Sequence, residues 1–503
     1  MRDLATTFRT EHDRVYVGGA WRPSRADRAL PVECPIDGSL FGVVPECDES
    51  DVEVAVRAAR DCFDQGPWRS LGLDDRITRL AAFAELLDER SGELTWLQIG
   101  ETGGPRSFVE RATQGIGARA REEIATARAT MRPEIRDGRG GPTLVLQAPV
   151  GVVAAIVPWN APVGLLLNKL LPALLAGCSV VVKAPPEAPL TSFVIAQAAH
   201  EAGFPPGVVN VLVGGAEVGR RLVGHAGVDA VSFTGSVAVG SEIGAVCGRQ
   251  VKRAVLELGG KSPAIVLDDA DLDVCVPLLV ERGLANNGAV CFATTRILAL
   301  ADVYDALAER LVSAVQALRI GDPYDPSTDI GPLITRGHRA AVEDRIASAV
   351  REGAALLVGG DRPAQLEEGW FLAPAVLAVH NRMEIAQREV FGPVLTLIRC
   401  PDEAEAIRLA NESDFGLAAG VYTGDLARGL SVAGQIASGM CSINAGSASG
   451  GSGPFGGLKR SGLGRERGRE GLEEFLEPRS ITIPADADLD MDDLREGILA
   501  DGL

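Results

Sequence analysis

Between Val150 and Ser236 the apolar residues switch repeatedly between two periods, and that switching constrains the fold more than any other feature of the chain. GVVAAIVPW is short, β-branched and stopped by Pro158, whereas APVGLLLNKLLPALLAGC carries leucines at helical spacing as far as Gly177. SVVVKAPP is again β-rich and ends in prolines. Strand, helix and strand in that order form the crossover unit of a parallel sheet. The alternation continues through TSFVIAQAAHEAG, a helix ending at Gly203, then VVNVLV, AEVGRRLVGHAG and VDAVSFTGS. These segments predict a doubly wound, Rossmann-like α/β domain. A second alternating series starts at Ser262 with PAIVLDDADLD and runs through Cys441, which predicts a second α/β domain and a boundary near Glu257 to Lys261.

Two segments stand outside this pattern. TLVLQAPVG, within Arg132 to Val150, and the C-terminal RSITIPA both read as strands with no neighbour in sequence, so they pair with each other or across subunits. Beyond Pro484 the tail is acidic. The longest apolar region, Val150 to Val182, is interrupted by Pro158, Asn160, Asn168, Lys169 and Pro172, so it reads as buried elements and not as a membrane span. The N-terminal MRDLATTFRTEHDR mixes both charge signs ahead of any apolar run, unlike a secretory signal. A net charge of −19 argues against nucleic acid or an anionic membrane as partner and for a small-molecule substrate. Nine scattered cysteines without a C-x-x-C pair fit a reducing cytoplasm, and five histidines without metal spacing give no support to a metal-dependent mechanism.

Four places could carry chemistry. Only five of the 49 cationic side chains are lysines, and one of them, Lys183, ends the strand SVVVK, where ligands of open α/β sheets bind. The run FTGSVAVG, Phe233 to Gly240, opens a helix after a strand and offers backbone amides to a pyrophosphate. It is not the standard G-x-G-x-x-G, and a Gly-rich turn is by itself only a turn. In LELGGKSP, Glu257 lies among apolar residues; desolvation would raise its pKa toward that of a general base, although a strand-edge carboxylate held by backbone amides reads the same way. In LANNGAVCFATTR, Cys291 has no histidine near it, so it is either a packed thiol or a nucleophile with some other base.

Taken together, PWNAP, SVVVKAPPE, SFTGSVAVG, LELGGKSP, NNGAVCFATTR, GDPYDPSTDIGPLI, EVFGPV and PFGGLKRSGLGRERG resemble the aldehyde dehydrogenase superfamily, in family order and from about Val15 to about Ile483. The resemblance implies a Rossmann-like cofactor domain (residues 1–130 and 150–256), an α/β catalytic domain (257–460), oligomerisation strands (131–149 and 470–485) and an acidic tail (486–503). It also implies a homodimer or homotetramer. Cys291 would attack the aldehyde carbon, the Asn160 amide with the Cys291 backbone N–H would stabilise the oxyanion, and Glu257 would activate the water that hydrolyses the thioester and help deprotonate the thiol. Amides and helix ends near the sulfur would favour its anion. Lys183 would bind the adenosine ribose, Gly235 to Gly240 with Ser236 the pyrophosphate, and Glu389 the nicotinamide ribose, with Phe391 and Trp159 packed beside the cofactor.

The chain departs from the common pattern in two places. Where the family has a ribose-binding glutamate this chain has Pro186, with Glu187 one position later; NAD is the expected cofactor and NADP stays open. Ala161 and Asn168 stand where many relatives have aromatic residues, and the loop NAGSASGGSG supplies no large side chain, which points to a medium or bulky aldehyde. Three other readings remain: a CoA-acylating semialdehyde dehydrogenase, disfavoured by Glu257; an inactive binding protein on the same fold; and a cysteine hydrolase without nicotinamide.

Overall fold

The structure, a computed structural model, describes residues 8–137, 139, 141–445 and 453–484. The alternating stretch folds as its two periods require. Strand Val152–Ile156 is followed by helix Pro162–Ala176, which has proline at its first turn and Gly177 in the left-handed conformation at its end. Strands Ser179–Ala184, Val209–Val213 and Ala230–Thr234 follow, separated by helices Leu190–Glu201 and Ala216–Gly224. Helix Val237–Gln250, capped by the Ser236 hydroxyl, leads into strand Arg253–Glu257.

These strands build an eight-stranded sheet. Its five central members are parallel, and strands Ala230–Thr234 and Ser179–Ala184 flank Val152–Ile156 on opposite sides. The order therefore reverses beside Val152–Ile156, which opens a crevice at the carboxyl ends of the strands. Register sets what lies there: Lys183 pairs with Ile156, Ile156 with Phe233, and Thr234 with Glu257. The short strands Val15–Val17, Ala20–Arg22 and Gly462–Leu463 close the two edges antiparallel.

Side chains alternate across this sheet. Val153, Ala155, Val180 and Val182 enter one core, and Val152, Ala154, Ile156 and Val181 enter the other. Full burial of both faces is why these strands read as unbroken apolar runs; each buried Val or Leu contributes about 1.5–3 kcal/mol. The four helices between Leu73 and Thr130 cover the first core, and helix Glu49–Gln65 packs mainly on the second.

A second, seven-stranded sheet runs in the order Ala355–Val358, Ala375–Ala378, Val394–Cys400, Arg296–Leu300, Pro263–Val266, Ala418–Tyr422, Met440–Ile443. All but the first pairing are parallel. The two outlying strands do pair with each other: Leu476–Thr482 runs antiparallel to Thr143–Pro149, and Glu134–Arg136 adds a third strand. The acidic tail from 485 onward, residues 446–452 of the NAGSASGGSG loop and the first seven residues lie outside the described residues.

Candidate active site

The carboxyl edge of the first sheet meets the amino edge of the second, and the residues singled out in the sequence gather where they touch. Asn160 follows strand Val152–Ile156 and is buried; its Nδ2 donates to the Ala289 carbonyl at 2.9 Å, and its own carbonyl accepts from Asn286 Nδ2 at 2.8 Å. Cys291 is half-buried in a turn between the short 3-10 segment Ala285–Gly288 and strand Arg296–Leu300. No helix begins at the thiol itself, but helix Pro162–Ala176 starts at the same cavity, at Ala161. The residues around the thiol form a turn that carries the backbone into the second sheet.

That turn depends on the two asparagines. Asn286 and Asn287 hold φ of 49° and 59°, a left-handed conformation that asparagine tolerates better than most residues. Asn287 Nδ2 donates to the carbonyls of Gly103 at 3.0 Å and Pro332 at 2.9 Å, and its Oδ1 accepts from Gly331 N at 2.7 Å. The segment carrying the sulfur is thereby tied to two distant loops. Sequence reasoning saw both asparagines and gave them no role, because their partners lie far along the chain.

Glu257 ends its strand with both carboxylate oxygens buried and no hydrogen-bond partner among the described residues. Burial holds its pKa well above the ordinary value; Glu466 pushes the same way, and Lys169 opposes. Backbone closes in on it, since a Cβ on Gly456 would come within 2.6 Å of Glu257 Oε1, and one on Gly260 within 2.5 Å of the Cys291 carbonyl. Behind the carboxylate, Lys169 Nζ pairs with Glu466 Oε1 at 2.5 Å and donates to Thr234 Oγ1 at 2.8 Å and Ser232 Oγ at 3.2 Å. This buried pair was not anticipated as part of a site. The Cys291 thiol is itself raised far above its usual value, first by burial and then by Glu257, Glu389 and Glu466, so any chemistry through its anion would call for a base.

On the other flank, Glu389 Oε1 accepts from Gly260 N at 3.2 Å, and burial raises its pKa to about 7. Burial lowers that of the neighbouring Lys261 to about 7, and its Nζ has no hydrogen-bond partner among the described residues. Phe391, at φ 56°, accepts at its carbonyl from His338 Nε2 at 2.8 Å. Trp159 stands edge-on to both rings, with centroids 5.5 Å from Phe391 and 5.2 Å from His338. His338 and Lys261 were not singled out by the sequence.

At the far end of the first sheet's edge, Gly235 N donates to the Glu257 carbonyl at 3.0 Å, Ser236 Oγ caps the helix by accepting from Val239 N, and Gly240 packs against Leu258. Lys183 is buried at the strand end, its pKa lowered by burial and supported by the exposed Glu187. A cavity of about 290 Å³ opens over Cys291; Ala161 and Asn168 line it, and aromatic side chains reach it from Phe108, Phe292 and Phe455.

The comparisons with known proteins agree with this geometry. The aldehyde dehydrogenase family model matches residues 21–481. The chain is 40% identical over 474 residues to the geranial dehydrogenase of Castellaniella defragrans, covering 94% of this chain and 98% of that protein. It is 36% identical over 475 residues to the betaine aldehyde dehydrogenase of Brucella melitensis, covering 93% and 96%. The crystal structure of a Mycobacterium tuberculosis aldehyde dehydrogenase complexed with NAD+ superposes with a TM-score of 0.93 at 41% identity, covering 96% of this chain and all of that one.

Proposed function

The chain belongs to the aldehyde dehydrogenase family, and from that premise we propose that it oxidises a medium or bulky aldehyde to the acid, with Cys291 as nucleophile, Glu257 as base and Asn160 as oxyanion donor. The observation that carries the reading is the Glu257 carboxylate, buried with neither oxygen hydrogen-bonded, at the strand end beside the half-buried thiol. A base with a raised pKa is matched to a thiol with a raised pKa.

Glu257 takes the thiol proton as the sulfur bonds to the carbonyl carbon, giving a thiohemiacetal. Asn160 Nδ2 has two hydrogens, one of them engaged by Ala289, and the second with the Cys291 backbone N–H meets the oxyanion. NAD supplies the hydride acceptor. Once its proton has left, Glu257 takes one from water, whose oxygen then cleaves the thioester and frees the sulfur.

The chain's own groups suit that cofactor. The helix Val237–Gln250 presents its N-terminus and Ser236 at the reversal point of the sheet, fit for a pyrophosphate. Lys183 stands where ribose hydroxyls would bond, with Glu187 near its ammonium at the rim of the cofactor site, Glu389 offers a carboxylate to the second ribose, and Trp159 with Phe391 forms an apolar wall. With Glu187 displaced past Pro186, NADP is a second cofactor to test. Residues 1–130 and 150–256 act as the cofactor half and 257–460 as the nucleophile half.

Ala161 and Asn168 in the cavity wall, in place of aromatic side chains, support the medium or bulky substrate. The exposed strand Leu476–Thr482 lies at the edge of its small sheet and suits pairing in a homodimer or homotetramer, joined by 131–149 and 470–485. All nine cysteines are free, which supports a cytoplasmic location; among the described residues no helix is long and apolar enough to cross a membrane.

The test is NADH formation over an aldehyde panel, with NAD and NADP in parallel and the product identified. The acid is expected, and acyl-CoA formed on adding CoA would favour the acylating alternative. Cys291→Ala should lower kcat/KM by roughly 10⁴-fold or more with the circular dichroism unchanged. Substantial turnover in that variant would remove the sulfur from the mechanism.

A further inference from the structure

Two lysines lie fully buried on the flanks of the site, and their surroundings differ. Lys169 Nζ meets the Glu466 carboxylate and the hydroxyls of Thr234 and Ser232. Lys261 is just as deeply buried, and its Nζ has no hydrogen-bond partner among the described residues. An unpaired ammonium in a dry interior is costly, and a methionine would fill the same space without that cost. We propose that Lys261 is a positioning residue for cofactor binding: its buried ammonium is the counter-ion of the Glu389 carboxylate and holds it ready to accept from the hydroxyls of the second ribose. This rests on the dehydrogenase reading above and on the place it gives Glu389, and adds a residue that acts through that carboxylate.

The backbone brings the two groups together. Lys261 directly follows Gly259 and Gly260, which close on the carboxylate: Gly260 N donates to Glu389 Oε1 at 3.2 Å, and a Cβ on Gly259 would fall within 2.2 Å of Oε2. The lysine is therefore one residue beyond the amide that holds the carboxylate. The other cations nearby are engaged elsewhere. Arg296 donates to Asn381 Oδ1 and to the carbonyls of Leu409 and Ala410. Arg345, exposed on helix Arg336–Glu352, donates to the main-chain carbonyl of Glu389. The titratable groups that face Glu389 from the elements packed on it are Lys261, Arg345 and the Cys291 thiol.

Burial raises the Glu389 pKa to about 7, and the Gly260 amide, Lys261 and Arg345 restrain the rise. Burial and then Arg296 lower Lys261 to about 7 as well, with Glu389 opposing them and Arg345 adding to them. Both groups are thus charged together only around neutral pH. Below that window Glu389 takes up a proton with or without the lysine; above it Lys261 has lost its own. An ionised carboxylate accepts stronger hydrogen bonds from hydroxyls than a neutral acid does. The ammonium should therefore strengthen cofactor binding near pH 7 and have no influence at either extreme.

The experiment measures the affinity for NAD by calorimetric titration, without turnover, across the pH range from acid to alkaline, for the wild type, Lys261→Met and Lys261→Gln. Near neutral pH both variants are expected to bind NAD about three- to tenfold more weakly, the effect of moving the Glu389 ionisation by up to about one unit. At both ends of the range they should converge on the wild type, whereas a merely structural role would weaken binding by one factor throughout. The melting temperature of Lys261→Met should rise at and below neutral pH. Folding lowers the lysine pKa from 10.5, which penalises the native state below that value and most fully below the folded one, and the substitution removes the penalty. In a Glu389→Gln background, Lys261→Met should alter the affinity by less than about twofold, since the two substitutions remove the same interaction. A loss of affinity uniform in pH, no loss at all, or an undiminished loss in the Glu389→Gln background would overturn this proposal alone. Failure of both single variants to fold would overturn it too, because the amine would then be a structural post. Absence of NAD binding to the wild type at every pH would overturn the cofactor reading and this proposal with it.

Discussion

The two sheets meet at opposite ends of their strands, and they hold their contributions to the site by different means. On the first sheet, Lys183, Gly235 and Glu257 lie at strand ends whose relative positions are set by the parallel ladder through Ile156, Phe233 and Thr234. On the second, Cys291, Glu389 and Phe391 lie in loops ahead of the strands, and left-handed residues at 286, 287 and 391 turn the chain there. A ladder of backbone hydrogen bonds survives the loss of any one side chain. Loops tied by a few amides do not. Substitutions on the second side that touch no substrate should therefore disturb chemistry, whereas those on the first side should act mainly through the one contact they remove.

Glu257→Gln challenges that contrast most severely, because Glu257 belongs to the ladder side and yet is proposed to serve the sulfur. On the proposed mechanism turnover falls roughly 10²- to 10⁴-fold and intact mass spectrometry shows acyl-enzyme accumulating. The pH dependence follows from the raised pKa: the base works only when ionised, so the wild-type rate rises with pH through a midpoint above the ordinary carboxylate range, and the variant loses that rise. Stability should move the opposite way. A carboxylate whose pKa is raised by folding favours the native state below its unfolded value of 4.5, and this contribution is lost as the pH climbs through the folded value. The glutamine variant should accordingly resist alkaline denaturation better than the wild type.

Asn287→Ala tests the loop side. It removes bonds to Gly103, Pro332 and Gly331 and leaves an alanine at φ 59°. The expected loss in kcat/KM is about 10- to 100-fold with little change in the KM for NAD, because the misplaced atom is the sulfur. Asn287→Gly keeps the backbone conformation and removes only the amide. If the glycine variant performs like wild type, the asparagine serves φ and not the clamp. On the ladder side Ser236→Ala makes the matching change; loss of the cap should cost about 1 kcal/mol of stability, with kcat nearly unaffected.

The same contrast explains what was legible in the sequence. Strands such as VVAAI and helices such as PVGLLLNKLLPALLA announce themselves by period, since both faces of the first sheet are buried and Gly177 and Pro158 punctuate them. Cys291, Glu257 and Asn160 were singled out by the motifs that surround them, and the structure brings the three together. The clamp of Asn287 was not, because its partners at Gly103 and Pro332 are 184 and 45 residues away and are carbonyls that any residue could present. His338 and Lys261 were hidden for a related reason: what singles them out is their setting, the Phe391 carbonyl for one and near-complete burial beside Glu389 for the other. The cavity wall drew on Phe108 and Arg119, from helices whose sequence carries no chemical motif.

The smallest expected effects lie at the outer end of the first sheet, where a residue is both well placed by the ladder and exposed. Lys183→Gln should raise the KM for NAD by roughly tenfold while leaving kcat alone, since the ammonium is held at the strand end and its loss removes a contact without moving its neighbours. Glu187→Gln should do less. Glu187 is exposed, so water and salt screen its charge, but that charge is near enough to support the ammonium of Lys183. A carboxylate there repels a 2′-phosphate, and with Pro186 holding it one position farther along, the repulsion is weak. Removing it should shift the ratio of kcat/KM for NADP over NAD upward by only a few-fold, most visibly at low ionic strength. An increase of a hundredfold would mean that Glu187 reaches the ribose directly; no change at any ionic strength would mean that Lys183 alone meets the adenosine end, and that discrimination between the cofactors resides elsewhere on the ladder.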